Sequence, residues 1–170
     1  MRLSFSAEDL RVERGNTAEL ELKGELAPID LQRSMLAFAG PVTFSGTASN
    51  VGRHIVVSGT ARADALLTCD RCLEEYSVPL SAELLETFCR VDEVTDRDAD
   101  DEDLRRYGAD DIIDLREPIE QAFVLQLPMK LLCSEGCRGL CPRCGANLNK
   151  GVCECPPQDD WGLGHLLKDL

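Results

Sequence analysis

Between Thr17 and Leu26 apolar and charged residues alternate. Ala18, Leu20 and Leu22 interleave with Glu19, Glu21 and Lys23, the period of a half-buried strand. Pro41–Asn50 (PVTFSGTASN) and His54–Leu67 (HIVVSGTARADALL) also read as strands, with Val51, Gly52 and Arg53 turning between them. Glu75–Val91 reads as extended in part, although its SAELLETF stretch also suits a helix. Asp30–Phe38 is ambiguous and would accept a helical turn or two. Strands joined by short turns predict an antiparallel sheet.

The helical period is clearest over Asp114–Leu127 (DLREPIEQAFVLQL). Ile119, Ala122, Phe123 and Leu127 fall on one face. Asp114 is placed to cap the helix, and Glu117 completes an acidic capping-box pattern. Pro118 sits in the first turn, where its missing N–H does no harm, and Pro128 stops the helix. Cys133 follows five residues later, so this helix brings the cysteine stretch against the body of the fold. Trp161–Leu170 suits a short terminal helix. Asp92–Asp103 breaks the pattern: eight of its twelve residues are acidic and only Arg97 opposes them. It reads as a solvated loop, extended here to 92–111. It lacks the glycine of a calcium-binding EF-hand loop.

Composition narrows the class. Apolar residues make up 44% of the 170, enough for a packed core. Aromatics are only 5%, which argues against base stacking as a main activity. The first residues, MRLSFSAEDL, show no secretory pattern, and no window approaches 18 uninterrupted apolar residues. A cytoplasmic location without membrane contact is expected. In that compartment thiols stay reduced, and clustered cysteines more often bind metal than form disulfides.

The chain has nine cysteines, six of them within the 23 residues CSEGCRGLCPRCGANLNKGVCEC, Cys133–Cys155. Cys69 and Cys72 form a CxxC at a strand end. Cys141 and Cys144 form a second, in the CPxCG form of a zinc knuckle, where glycine relieves crowding in a tight turn. Cys133 with Cys137, and Cys153 with Cys155, supply two more pairs. Cys89 stands alone beside Phe88 and reads as a small buried hydrophobe. Eight thiols make two four-thiolate zinc sites, and at least one zinc is expected. The preferred partition sets Cys141, Cys144, Cys153 and Cys155 on one ion and Cys69, Cys72, Cys133 and Cys137 on the other. The second set clips the sheet to the end of the helix across a long loop. A rival partition places Cys133, Cys137, Cys141 and Cys144 on one zinc. The competing reading is that the thiols are free or redox-active. The expected fold is α+β: a mainly antiparallel sheet, barrel-like or sandwich, over 1–132 with one central helix. A cysteine-rich zinc module spans 133–157 and a tail 158–170.

No enzyme is expected. Catalytic zinc favours histidine or carboxylate ligands and an open position, and a deaminase needs HxE before its CxxC. The histidines, His54 and His165, fit neither pattern. No P-loop, GxGxxG or Ser-His-Asp ordering is present.

The segments TCDRCLEEYSVPL, ETFCRV, IDLREPIEQAFVLQLPMKLLC and GCRGLCPRCGANLN closely resemble the YceD family of bacterial and plastid proteins, in order over about residues 15–170. The matching motif residues are Cys69, Arg71, Cys72 and Leu73, then Leu140, Cys141, Pro142, Cys144, Gly145 and Asn147. The family is known as the large ribosomal RNA subunit accumulation protein. The resemblance therefore implies a role in building or stabilising the large ribosomal subunit.

Charge qualifies how such a role is performed. The formal net charge is −13, and two four-thiolate zinc sites would take it to −17. Such a surface repels phosphate on average and favours a basic partner. Arg71, Lys130, Arg138, Arg143 and Lys150 lie in or beside the cysteine motifs. They make either a local cationic face or counter-charges to the thiolates. The expected partner is ribosomal RNA or a basic ribosomal or assembly protein of the large subunit, with no small-molecule substrate. The alternative is a thiol-based redox or metal-responsive regulator.

Overall fold

A computed structural model describes residues 2–32, 34–95 and 104–155. In chain order its elements are β1 (Ser4–Ser6), α1 (Glu8–Arg11), β2 (Thr17–Gly24), β3 (Ile29–Asp30), β4 (Met35–Phe38), β5 (Val42–Asn50), β6 (His54–Thr68), β7 (Glu75–Arg90), β8 (Leu104–Tyr107), β9 (Ile112–Asp114) and α2 (Arg116–Gln126).

The centre of the sheet is the β6–β7 hairpin, paired antiparallel from His54 opposite Cys89 to Thr68 opposite Glu75. β5 pairs with the other edge of β6, and β2 with β5, both antiparallel. β4 lies on the same edge of β6 as β5. Phe38 faces Ala65 and Thr43 faces Arg62, so residues 39–42 are set against only 63 and 64. The extra residues kink the edge at Pro41, the place where a missing N–H is tolerated.

Side chains alternate across the sheet. Val42, Phe44, Ala48, Ile55, Val57, Ala61, Ala65 and Leu67 are buried on one face. Thr43, Ser45, Thr47 and Ser49 lie on the other, partly or fully exposed. Helix α2 covers the apolar face with Ile119 and Phe123, both fully buried. The Phe123 ring lies 5.8 Å from that of Phe38, tilted. Arg105 on β8 grips Glu86 of β7 with two bonds of 2.8 and 3.3 Å and also reaches Gln121 of α2. That cross-link holds the helix against the sheet.

Several expectations change. The sheet is mainly antiparallel, but it does not close into a barrel: β2, β3 and β8 are its edges among the described residues. Two of its open margins discourage further pairing. β2 turns Glu19, Glu21 and Lys23 outward, and β7 carries Pro79 where its edge is bare of β8. Asp30–Phe38 is the β3–β4 pair and not a helical turn. SAELLETF is strand, because pairing with β6 overrides its helical period. Within 92–111, Leu104–Tyr107 is a strand and not loop; it pairs parallel with β7 and buries Leu104 and Tyr107. The acidic residues 96–103 and the tail 158–170 lie outside the described residues. Helix α2 begins two residues later than expected. Leu115 is its N-cap and makes no side-chain cap bond. Asp114 closes β9 one residue earlier, and its carboxylate accepts the Arg116 N–H at 3.0 Å. Glu117 accepts from Gln121 instead of reaching back.

Asn50, 4% exposed, is the buried polar residue of the core. Its amide donates to the carbonyls of Leu10 (2.8 Å) and Glu13 (3.2 Å), and its oxygen accepts the Gly52 N–H at 2.7 Å. It thus ties the N-terminal segment to the β5–β6 turn. Asn50→Ala strands all three partners and should destabilise the fold by about 2–3 kcal/mol in urea unfolding. A loss below about 0.5 kcal/mol would show that water replaces these bonds.

Candidate metal centres

Two tight turns present the CxxC pairs, and their backbones match. In the β6–β7 turn, Leu73 N–H donates to the Cys69 carbonyl at 2.9 Å with Leu73 at φ 58°. In the second, Gly145 N–H donates to the Cys141 carbonyl at 2.9 Å with Gly145 at φ 72°. Both turns need a left-handed residue after the second cysteine. Glycine takes that conformation without strain, whereas Leu73 takes it against its own preference. The turn C-D-R-C-L is therefore held by its surroundings. Asp70 N–H donates to the Leu131 carbonyl at 2.7 Å, and the Asp70 carboxylate accepts the Leu131 N–H at 2.7 Å. This pair of hydrogen bonds to the chain leaving α2 carries Cys133 and Cys137 to the turn.

Four sulfurs meet there. Cys69 Sγ lies 3.8 Å from Cys137 Sγ, and Cys72 Sγ lies 3.7 Å from Cys133 Sγ. All four are within 4.8 Å of one another. Cys141, Cys144, Cys153 and Cys155 form a second group within the same limit. A disulfide needs sulfurs about 2.05 Å apart, and none of the nine cysteines forms one. A tetrahedron of sulfurs about 2.3 Å from a zinc ion has edges of about 3.8 Å. The observed spacing fits that geometry. The structure thus brings together the eight thiols in the two preferred groups, and it separates Cys133 and Cys137 from Cys141 and Cys144. Cys89 is buried on β7 and belongs to neither group.

The groups differ in exposure. Cys69, Cys72 and Cys137 are buried and Cys133 is exposed; of the second group only Cys141 is buried. Burial pushes the Cys69 thiol up, but N–H groups of Cys133, Cys72 and Arg71 outweigh it and bring it down to about 6. The N–H groups of Cys144 and Arg143 bring Cys141 to about 6. Desolvation and neighbouring thiols push Cys133 up to about 12, and the Cys144 thiol does the same to Cys155. In the first group the Asn149 amide also lowers Cys137 while Cys72 is raised, so two sulfurs ionise readily and two resist; in the second, Cys141 ionises readily and Cys155 resists. Four thiolates this close need a cation among them.

The flanking bases are placed unevenly. Arg71 donates to the Cys137 carbonyl at 2.9 Å, bracing the first group. Lys150 pairs with Glu74. Lys130, Arg138 and Arg143 are exposed. One functional contact escaped sequence reading. Asn149 donates its amide to Cys137 Sγ at 3.3 Å and accepts the Arg138 N–H at 2.7 Å. An asparagine near a knuckle is too common a loop residue to signal such a bond in advance.

Residues 57–166 match the family described as large ribosomal RNA subunit accumulation protein YceD. The chain belongs to the YceD family. YceD relatives include an uncharacterised Mycobacterium tuberculosis protein, 35% identical over 99 residues, 58% of this chain and 47% of that protein. A maize protein named large ribosomal RNA subunit accumulation protein YCED homolog 1, chloroplastic, is 38% identical over 79 residues, 46% of this chain and 27% of that protein. An uncharacterised Bacillus subtilis protein is 28% identical over 124 residues, 71% of this chain and 69% of its own. The chain spans about half the length of the first curated relatives it matches. No solved structure matches it. Both cysteine groups lie inside the YceD match: Cys69 to Cys155 fall within 57–166. Among the described residues no helix is long and apolar enough to cross a membrane.

Proposed function

We propose that this YceD-family chain is a non-catalytic, zinc-bearing factor that supports accumulation of large-subunit ribosomal RNA from the cytoplasm. The family description and the name of the maize relative support the process. The observation that carries the zinc-bearing, non-catalytic part is the pair of four-thiol groups. A donor set of four cysteines fills a tetrahedral ion and leaves no position for substrate or water, as structural zinc requires. The ion supplies cross-linking and charge; the chain's residues supply the contact surface.

A basic large-subunit protein suits that surface better than bare RNA. The formal charge of −13 opposes phosphate, and two of the five bases near the thiols, Arg71 and Lys150, are engaged within the chain. Elemental analysis of the purified protein should find about two zinc ions per chain, with nine thiols titratable after chelation. Absence of zinc would bring the thiol-redox reading forward. Pull-down with the chain should retain basic large-subunit proteins and lose them as salt rises, with naked ribosomal RNA unbound. Retention of naked RNA would transfer the contact to Lys130, Arg138 and Arg143.

A further inference from the structure

The two cysteine groups are joined by the loop of the second. Cys141 and Cys144 are connected to Cys153 and Cys155 through residues 145–152. That segment folds back on itself: Cys141 N–H donates to Ala146 O at 2.8 Å and Leu148 N–H to Gly139 O at 2.9 Å, with Leu140 bridged to Asn147. The turn ends on Asn147, whose side chain accepts the Asn149 N–H at 2.9 Å. Asn149 is then presented to the other group. Its oxygen takes the Arg138 N–H at 2.7 Å, which fixes the amide orientation, since a backbone donor demands the oxygen. Its NH2 therefore faces Cys137 Sγ, 3.3 Å away. The next residue, Lys150, pairs with Glu74 beside Cys72. Gly139, at φ 71°, lets the loop approach closely: a Cβ there would lie 3.1 Å from the Arg71 carbonyl oxygen.

We propose that Asn149 is a positioning residue that couples the two metal centres, so that metal held by Cys141, Cys144, Cys153 and Cys155 strengthens metal binding at Cys69, Cys72, Cys133 and Cys137. The inference rests on the metal-binding part of the proposed function. An ion in the second centre fixes both ends of the 145–152 loop and so fixes Asn149. An N–H donated to a thiolate stabilises the ligand charge and orients the sulfur. With the second centre empty, the loop's ends are released and the amide must be ordered at the expense of binding. By linkage the effect is reciprocal. The more exposed centre thereby sets the affinity of the more buried one that clips the fold.

The test uses the full chain loaded with cadmium-113, whose NMR spectrum gives one resonance per four-thiolate centre, titrated with a chelator. Cys144→Ser and Asn149→Ala should each lower cadmium affinity at the first centre by roughly 10-fold to 100-fold. The double variant should lose no more than either single one. Losses that multiply, or a first centre indifferent to Cys144→Ser, would overturn the coupling. Asn149→Asp guards against a general loop defect. It keeps the acceptor for Arg138 N–H, removes the donor to sulfur and adds a carboxylate charge beside the thiolates. It should weaken the first centre while leaving the second resonance in place, and an unchanged first centre refutes the role of the amide. A wild-type chain that takes up no cadmium overturns the metal reading itself, a result distinct from two bound ions without coupling.

Discussion

Cys72→Ser should destabilise the whole domain, and Cys144→Ser should do so less. Cys72 belongs to the group that joins the β6–β7 turn to the chain leaving α2, and its sulfur faces one 61 residues away, that of Cys133. A cross-link over so long a loop removes much unfolded-state entropy, and the binding free energy of a structural metal is folding free energy. Loss of one ligand also leaves buried thiols without their counter-charge. Near Cys72 lie Leu131 and the bonds to Asp70, which position the end of α2 over the core. A loss of about 3–5 kcal/mol should lower Tm by roughly 6–20 °C in a chain of this size. Cys144 belongs to a group that draws all four members from residues 141–155 and packs little of the core. Its replacement acts on Tm through the weakened first centre: a 10-fold to 100-fold loss of affinity is about 1.4–2.8 kcal/mol, or roughly 3–11 °C at about 2–4 °C per kcal/mol. Both variants should lose metal, so elemental analysis and thermal unfolding separate binding from clipping. Equal falls in Tm would refute the division into one clip and one local module.

The sequence made the antiparallel strands legible because β2, β5 and β6 each bury one face, and period two survives in their residues. It made the thiol groups legible because paired cysteines at short spacing are rare without a metal. Contacts between segments distant in sequence left weaker traces. β8 carries only Leu104 and Tyr107 as buried positions, and four residues after an acidic run give no period to read. Its parallel pairing with β7 is decided by the tertiary fold. SAELLETF has a helical pattern that cross-strand pairing with β6 overrides. The start of α2 shifted because Asp114 is taken into β9, where it pairs with Ser4, a partner more than a hundred residues away. Asn149 was hidden for the same reason: its significance lies in a sulfur twelve positions back and in the orientation that Arg138 imposes.

The arrangement joins a rigid sheet to a pair of thiol groups at one end. The CxxC of the first group is the turn of the longest hairpin, so it inherits the rigidity of fifteen paired positions on each strand. The second group rests on the first through Asn149 and the Lys150–Glu74 pair. Stability and metal content therefore report on different parts of the same structure, and the sheet can be perturbed without touching a sulfur.

Gly59→Ala should do so. Gly59 of β6 faces Gly46 of β5 directly, and the strands approach closely there. A Cβ on Gly59 would lie 2.4 Å from the Ser45 carbonyl oxygen and 2.6 Å from Gly46 Cα, with the buried Phe44 ring 2.7 Å away. Two of these atoms belong to backbone and cannot swing aside, so the strands must part and the β5–β6 ladder must bend. Overpacking of this kind, with backbone displaced, should destabilise the domain by about 3 kcal/mol or more. Gly40→Ala is the control. A Cβ there meets nothing within 4 Å, and its effect should stay within about 0.5 kcal/mol. Adding Phe44→Leu to Gly59→Ala separates ring from backbone. The double variant should recover no stability, because the Ser45 oxygen and Gly46 Cα remain. Recovery would mean that Phe44, and not the backbone, requires the glycine, and that the strands have room to take a side chain at this crossing.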